Sequence, residues 1–277
     1  MSRTVAWLAP FFIFAAANLP ATIQLAPVET QHVFDGSNCV VEVRWRNVGE
    51  EKATVQIDAE IFAASSTTAA PISKIRWKQL EIVAGQTLIE HLEFNLPSIK
   101  NPTRFLVQWT DTSNKVLVVT SVLAYPRGQL KELAKFAADS PIAVFDPADG
   151  LKPDLTRMGI AFVDLSDHGL STFTGKLALI GPFSPTNETR RPSSDALFKA
   201  AHRGVCLVYF RASDSEENLT PDFYAVPIDG ATVIVAQQRM VSNLAANPVS
   251  QFRLIRLAET AVRGRAFNSL AKSDFPP

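Results

Sequence analysis

Six residues of this chain have the chemistry to hold a ligand: Asp146, Asp149, Gly181, Ser184, Arg211 and Trp77. Asp146 and Asp149 are a carboxylate pair on paper. Glycoside hydrolysis needs two carboxylates opposed across a cleft, and a separation of three positions along the chain does not establish that spacing. Asp164, Asp167 and His168 offer oxygen and nitrogen donors to a metal. An acidic, glycine-containing loop after a strand is ordinary turn chemistry, and that reading is preferred, so no metal is expected. Trp77, between Arg76 and Lys78, has a flat apolar face that matches the C–H face of a pyranose. The competing and preferred reading is that Trp77 covers the edge of a sheet. No catalytic residue is assigned. The chain has no Gly-x-Gly-x-x-Gly or Walker-type loop to hold phosphates, and no cofactor is expected.

The elements that position these residues change in kind near Tyr125-Pro126-Arg127-Gly128. Before it, Val41, Val43 and Trp45 alternate with Glu42, Arg44 and Arg46, the period-two pattern of a strand with one buried face. After the turn Asn47-Val48-Gly49-Glu50, Val55, Ile57, Ala59 and Ile61 repeat the alternation, and the two segments read as a strand pair. Further strands are expected over 75–82, 88–94, 105–109 and 116–124, with Trp109 on the core face. After the change, a helical stretch from Gln129 to Ala138 leads to a buried strand at Ile142–Phe145. Strands at 160–165, 177–181, 205–210 and 231–236 then alternate with helices at 152–158, 193–203 and from Pro248 through Arg263. Asp146, Asp149, Gly181, Ser184 and Arg211 each follow a predicted strand, and open α/β sheets bind ligands beyond the carboxyl ends of their strands. The competing reading makes them connecting-loop residues chosen for turns and solubility.

The expected fold class is therefore two-domain: an all-β immunoglobulin-like sandwich followed by an α/β open, mostly parallel sheet. The divisions are 1–22 (signal peptide), 23–126 (sandwich), 127–140 (linker helix) and 141–277 (α/β domain). The first part, through its Ala84-Gly85-Gln86-Thr87 turn and the strand closed by Leu96-Pro97, resembles bacterial adhesion-type and fibronectin-like modules. That resemblance implies a spacer or binding module. The second part resembles class I glutamine-amidotransferase-like, flavodoxin-type domains, accessory parts of bacterial glycoside hydrolases. The residues concerned are Leu177-Ala178-Leu179-Ile180-Gly181-Pro182, Ala196-Leu197-Phe198-Lys199-Ala200-Ala201 and Arg203-Gly204-Val205-Cys206-Leu207-Val208. Active members place a cysteine nucleophile in a Gly-x-Cys-x-Gly elbow beside a histidine. Here Val208 stands where the last glycine belongs, Cys206 falls inside a strand, and no histidine follows His202. The resemblance thus implies a fold without its catalytic centre.

With 27 Lys plus Arg against 27 Asp plus Glu in 277 residues, no electrostatic footprint points to nucleic acid. Met1-Ser2-Arg3 followed by the apolar run Thr4 to Ala17 has the charged start and apolar length of a secretory signal. Cleavage would fall after Ala17 or Ala21, leaving an exported protein, periplasmic or extracellular, with no stable transmembrane span. Cys39 and Cys206 are expected as buried thiols. The expected function is an exported, non-catalytic binding or assembly protein linked to polysaccharide use, its partner a polysaccharide or an envelope protein. The alternative is a hydrolase acting on a carbohydrate or amide at the strand ends of the second part.

Overall fold

A computed structural model describes residues 23–26, 29–65, 67–137, 139–183, 191–211 and 222–264. Ser184 and the signal-like residues 1–22 lie outside the described residues.

The strands before residue 126 are β1 (Ile23–Leu25), β2 (Gln31–Phe34), β3 (Gly36–Asn47), β4 (Ala53–Ala64), β5 (Ala69–Ile82), β6 (Thr87–Leu96), β7 (Thr103–Asp111) and β8 (Val116–Tyr125). They form a three-stranded sheet, β1-β3-β6, and a five-stranded sheet, β2-β8-β7-β4-β5. After them come β9 (Ile142–Phe145), α1 (Lys152–Arg157), β10 (Phe162–Asp164), β11 (Leu177–Ile180), α2 (Ser194–His202), β12 (Cys206–Arg211), β13 (Phe223–Ile228), β14 (Ala231–Gln237) and α3 (Pro248–Arg263). Their six strands make one sheet in the order β10-β9-β11-β12-β14-β13.

The expected immunoglobulin-like sandwich followed by an open, mostly parallel α/β sheet is not what the chain forms. The protein is mostly β, its sheets are mixed, and one of them curls as half a barrel. In the five-stranded sheet β2 runs parallel to β8 while β4 and β5 are antiparallel. Bulges at Ile57/Asp58 and Ile61/Phe62 interrupt the β4–β5 pair, and such insertions bend and twist a ribbon. The six-stranded sheet is closed at one side by β13, antiparallel to β14. Periodicity overlooked β13 because Pro227 interrupts it; an edge strand tolerates the missing N–H. The two-residue turn Asp229-Gly230, with Gly230 at φ 90°, closes that hairpin. The helical layers are also thinner than expected. The segment starting at Gln129 is a 3₁₀ helix ending at Phe136, and only a three-residue 3₁₀ turn, Leu170–Thr172, stands between β10 and β11.

The predicted pairing of β3 with β4 is likewise corrected: β3 pairs with β1, whereas β4 pairs with β5. The turn after β3 is a corner between sheets, and Asn47 organises it. Fully buried, Asn47 donates from Nδ2 to the carbonyls of Glu51 (2.7 Å) and Ile82 (2.9 Å) and accepts from Gly49 N–H at Oδ1 (2.9 Å).

The chain forms two compact units. Among the described residues, one comprises 23–26, 29, 40–92 and 106–121, and the other comprises 30–39, 93–105 and those from Val122 to Gly264. In the first, Trp45 of β3 and Trp109 of β7 are fully buried and meet edge-on with centroids 5.5 Å apart. In the second, Leu130 and Leu133 of the 3₁₀ helix pack with Leu254, Leu257 and Ala258 of α3 against Val144, Leu179 and Val208, one face of the six-stranded sheet. Gln129 Nε2 donates to the Pro248 carbonyl at 2.8 Å, tying the 3₁₀ helix to the start of α3. Cys39 and Cys206 are buried free thiols. No helix among the described residues is long and apolar enough to cross a membrane.

Candidate functional site

The carboxyl ends of β9, β11 and β12 carry Asp146, Asp149, Gly181 and Arg211 of the predicted ligand set. Asp146 follows β9 and is fully buried. Its Oδ2 accepts from the N–H groups of Leu151 (2.6 Å) and Lys152 (3.1 Å), satisfying donors at the start of α1 that the helix itself leaves open. Asp149 lies in the same tight turn, its N–H donating to the Asp146 carbonyl at 3.2 Å, so the two carboxylates do not flank a cleft. Asp149 instead pairs with Lys152 at 2.8 Å, and Lys152 also reaches Asp164 at 2.9 Å and Ser166 at 3.2 Å. Burial pushes the Asp164 carboxyl up, but hydrogen bonds from Ser166 and the Lys152 ammonium outweigh it and leave the pKa below its ordinary value. Burial pulls Lys152 down, and its bonds to Asp149 and Asp164 more than compensate, so that ammonium is held charged. Asp167 and His168 are exposed, and among the described residues no group of three donors is placed to hold a metal.

Gly181 adopts φ 90° and precedes a cis peptide bond to Pro182. A Cβ on it would lie 2.8 Å from the Phe210 carbonyl oxygen, so its part is close passage between β11 and β12. Trp77 lies in the other unit, on the terminal strand β5. Half-buried, its ring meets Trp109 at 5.2 Å, and the Lys78 ammonium stands 5.1 Å from its centroid. Cys206 is packed inside β12, 1% exposed.

Among the described members of the predicted set, Arg211 lines a concavity that also holds Arg191, Ser194, Tyr209 and Tyr224. It is a groove of about 410 Å³ on the face of the six-stranded sheet beside the start of α2. The sheet register builds it: Val235 of β14 pairs with Tyr209 of β12 on one side and Tyr224 of β13 on the other, giving a row of three side chains across three strands. Arg211, two residues beyond Tyr209, lies on the same face. Ser194 and Leu197 of α2 form one wall with Arg191. The helix begins there because the Ser193 hydroxyl accepts the Ala196 N–H at 3.2 Å. Arg191 is seated with its guanidinium carbon 5.8 Å from the centroid of Phe183, a buried ring that also meets Tyr209 at 5.9 Å and Phe145 at 6.3 Å. A larger concavity, about 490 Å³, lies at the opposite ends of the strands beside Ile142 and Ile160. Its lining mixes Ala134, Ala137, Pro141 and Ala161 with the polar side chains of Lys131, Asp139 and Ser140, and it holds none of the residues singled out from the sequence.

Sequence reasoning missed Arg191, Tyr209 and Tyr224. The i, i+2 spacing of Tyr209 and Arg211 was the available signal; Tyr224 had none, since its strand was not recognised.

No family model matches the chain, and no curated protein matches it. Solved structures match over part of their length. A β-glucosidase from Listeria innocua is 16% identical over 38% of this chain and 16% of its own, with a TM-score of 0.29. The alkylpurine DNA glycosylase AlkC of Pseudomonas fluorescens is 13% identical over 38% and 31%, also at 0.29. The sporulation control protein Spo0M of Bacillus subtilis is 11% identical over 41% and 54%, again at 0.29. The chain thus spans between about a sixth and about half of these proteins, and at such TM-scores the likeness carries no argument about fold or function.

Proposed function

We propose that the protein is an exported, non-catalytic binding protein linked to polysaccharide use, and that its ligand occupies the groove of Tyr209, Arg211 and Tyr224. The observation that carries the reading is the row Tyr209–Val235–Tyr224 with Arg211 beside it. Aromatic faces suit sugar rings, and a guanidinium donates several hydrogen bonds in a fixed plane. Two features support a non-catalytic role: Cys206 is buried, and the Asp146–Asp149 pair is spent on a turn and an ion pair. Export rests on the sequence alone, on the charged start and the apolar run Thr4 to Ala17.

A binding screen against soluble and insoluble polysaccharides, with Arg211→Ala and Trp77→Ala in parallel, tests the reading. Saturable binding is expected, weakened by Arg211→Ala and indifferent to Trp77→Ala. Absence of binding to every polymer rejects it, and loss in Trp77→Ala alone moves the site to β5. Amino-terminal sequencing of protein recovered outside the cytoplasm tests export; a start just after Ala17 or Ala21 is expected, and an intact Met1 in the cytoplasm contradicts it.

A further inference from the structure

We infer that Asp229-Gly230 is a site of spontaneous isoaspartate formation, and that the fold suppresses the same reaction at the other two Asp-Gly steps of the chain, Asp35-Gly36 and Asp149-Gly150. Asp followed by Gly is open to this chemistry because no Cβ on the second residue shields its amide nitrogen. The Gly230 nitrogen adds to Cγ of the protonated Asp229 carboxyl, the carboxyl hydroxyl and the amide proton leave as water, and a five-membered succinimide closes. Water then opens one of the two ring carbonyls. One opening restores aspartate; the other leaves the backbone running through the side-chain methylene, with no net change in atoms. Ring closure needs a carboxyl free to swing onto the next amide and an amide free to turn toward it, and the three steps differ in both. Asp35 is 4% exposed, its Oδ1 accepting from Arg127 N–H at 2.6 Å and its Oδ2 from Ile99 N–H at 2.8 Å. Asp149 is held by Lys152 at 2.8 Å and through its own N–H by the Asp146 carbonyl, and a Cβ on Gly150 would lie 2.6 Å from Pro182 Cγ, so that backbone has no room to turn. Asp229 and Gly230 are both exposed. Among the described residues the Asp229 carboxylate has no hydrogen bond or ion pair, the Gly230 N–H has no acceptor, and a Cβ on Gly230 would meet nothing nearer than Gly204 Cα at 3.9 Å. An isoaspartyl link adds one backbone atom between Ile228 and Ala231, whose pairing closes the hairpin, so the modification loosens β13, the strand that carries Tyr224.

The test is incubation of the full chain at neutral pH and body temperature, followed by peptide mapping that separates aspartyl from isoaspartyl forms and by methyl labelling with an isoaspartyl methyltransferase and S-adenosylmethionine. Native and urea-unfolded protein are compared. Asp229→Glu, whose longer side chain keeps the charge and disfavours ring closure, is the control, with thermal melting as a check on its folding. In the native chain isoaspartate is expected to build up at Asp229 at least ~10-fold faster than at Asp35 or Asp149, because those two must first open locally. In urea the three rates should converge, and Asp229→Glu should remove the methyl label from the native peptide that spans β13 and β14. Equal native rates at the three steps, or a faster one at Asp35 or Asp149, overturn the inference. So does a native Asp229 left unmodified over a time in which the unfolded chain reacts, or a label on that peptide that survives Asp229→Glu.

Discussion

Gly181 passes so close to Phe210 that a Cβ on the glycine would sit 2.8 Å from the Phe210 carbonyl oxygen. Its φ of 90° lies where side-chain-bearing residues are strained, so two penalties coincide. Gly181→Ala is expected to destabilise the protein by about 2–3 kcal/mol. Chemical denaturation checks this: an unchanged midpoint would show that β11 and β12 separate freely at that point.

The buried carboxylate of Asp146 supports the start of α1 through Leu151 and Lys152. Asp146→Ala leaves those donors without an acceptor and should cost about 2 kcal/mol. Asp146→Asn keeps a carbonyl oxygen for the Oδ2 position and should cost much less. Equal losses in the two variants would show that charge, and not the acceptor, is what the turn requires.

Trp77→Ala removes a half-buried ring from Trp109 and from beneath Lys78, and a loss of about 1–2 kcal/mol in stability is expected. Sugar affinity should not change. A loss of affinity with stability intact would return Trp77 to the role of sugar platform.

Burial pushes the Tyr125 phenol up to about 12, only partly opposed by the positive charge of Arg253. Unfolding returns it to about 10, so the neutral form is favoured by folding. The resulting stabilisation is complete below pH ~10 and is lost as pH rises from ~10 to ~12, amounting to at most about 3 kcal/mol. Tyr125→Phe lacks this titration. The variant loses the contact with His32 Nδ1 (3.3 Å) at neutral pH, yet its stability should fall less steeply than that of wild type above pH ~10. Parallel slopes would contradict the assignment.

Local patterns in the sequence were legible where one element suffices to generate them. Alternation placed Trp45 and Trp109 inward, and both are fully buried; Ser193 and Pro248 marked helix starts that the structure contains. What depends on distant partners was not legible. Nothing near Val55 says that β4 pairs with β5 and not with β3, because alternation fixes which face is buried and not which neighbour a strand takes. The buried Asn47 resembles any turn asparagine until the carbonyl of Ile82, 35 positions away, is brought to its amide. The groove depends on β13, whose Pro227 hid it, so Arg211 was identified without the tyrosines that give it a context.

Hydrogen exchange of the full chain with and without a saturating soluble polysaccharide taken from the binding screen tests the central claim most directly. The account predicts ligand-dependent protection concentrated at the end of β12, across β13 and at the first turn of α2, and absent from β5 around Trp77. Protection centred on β5, or none at the end of β12 and across β13, would contradict it.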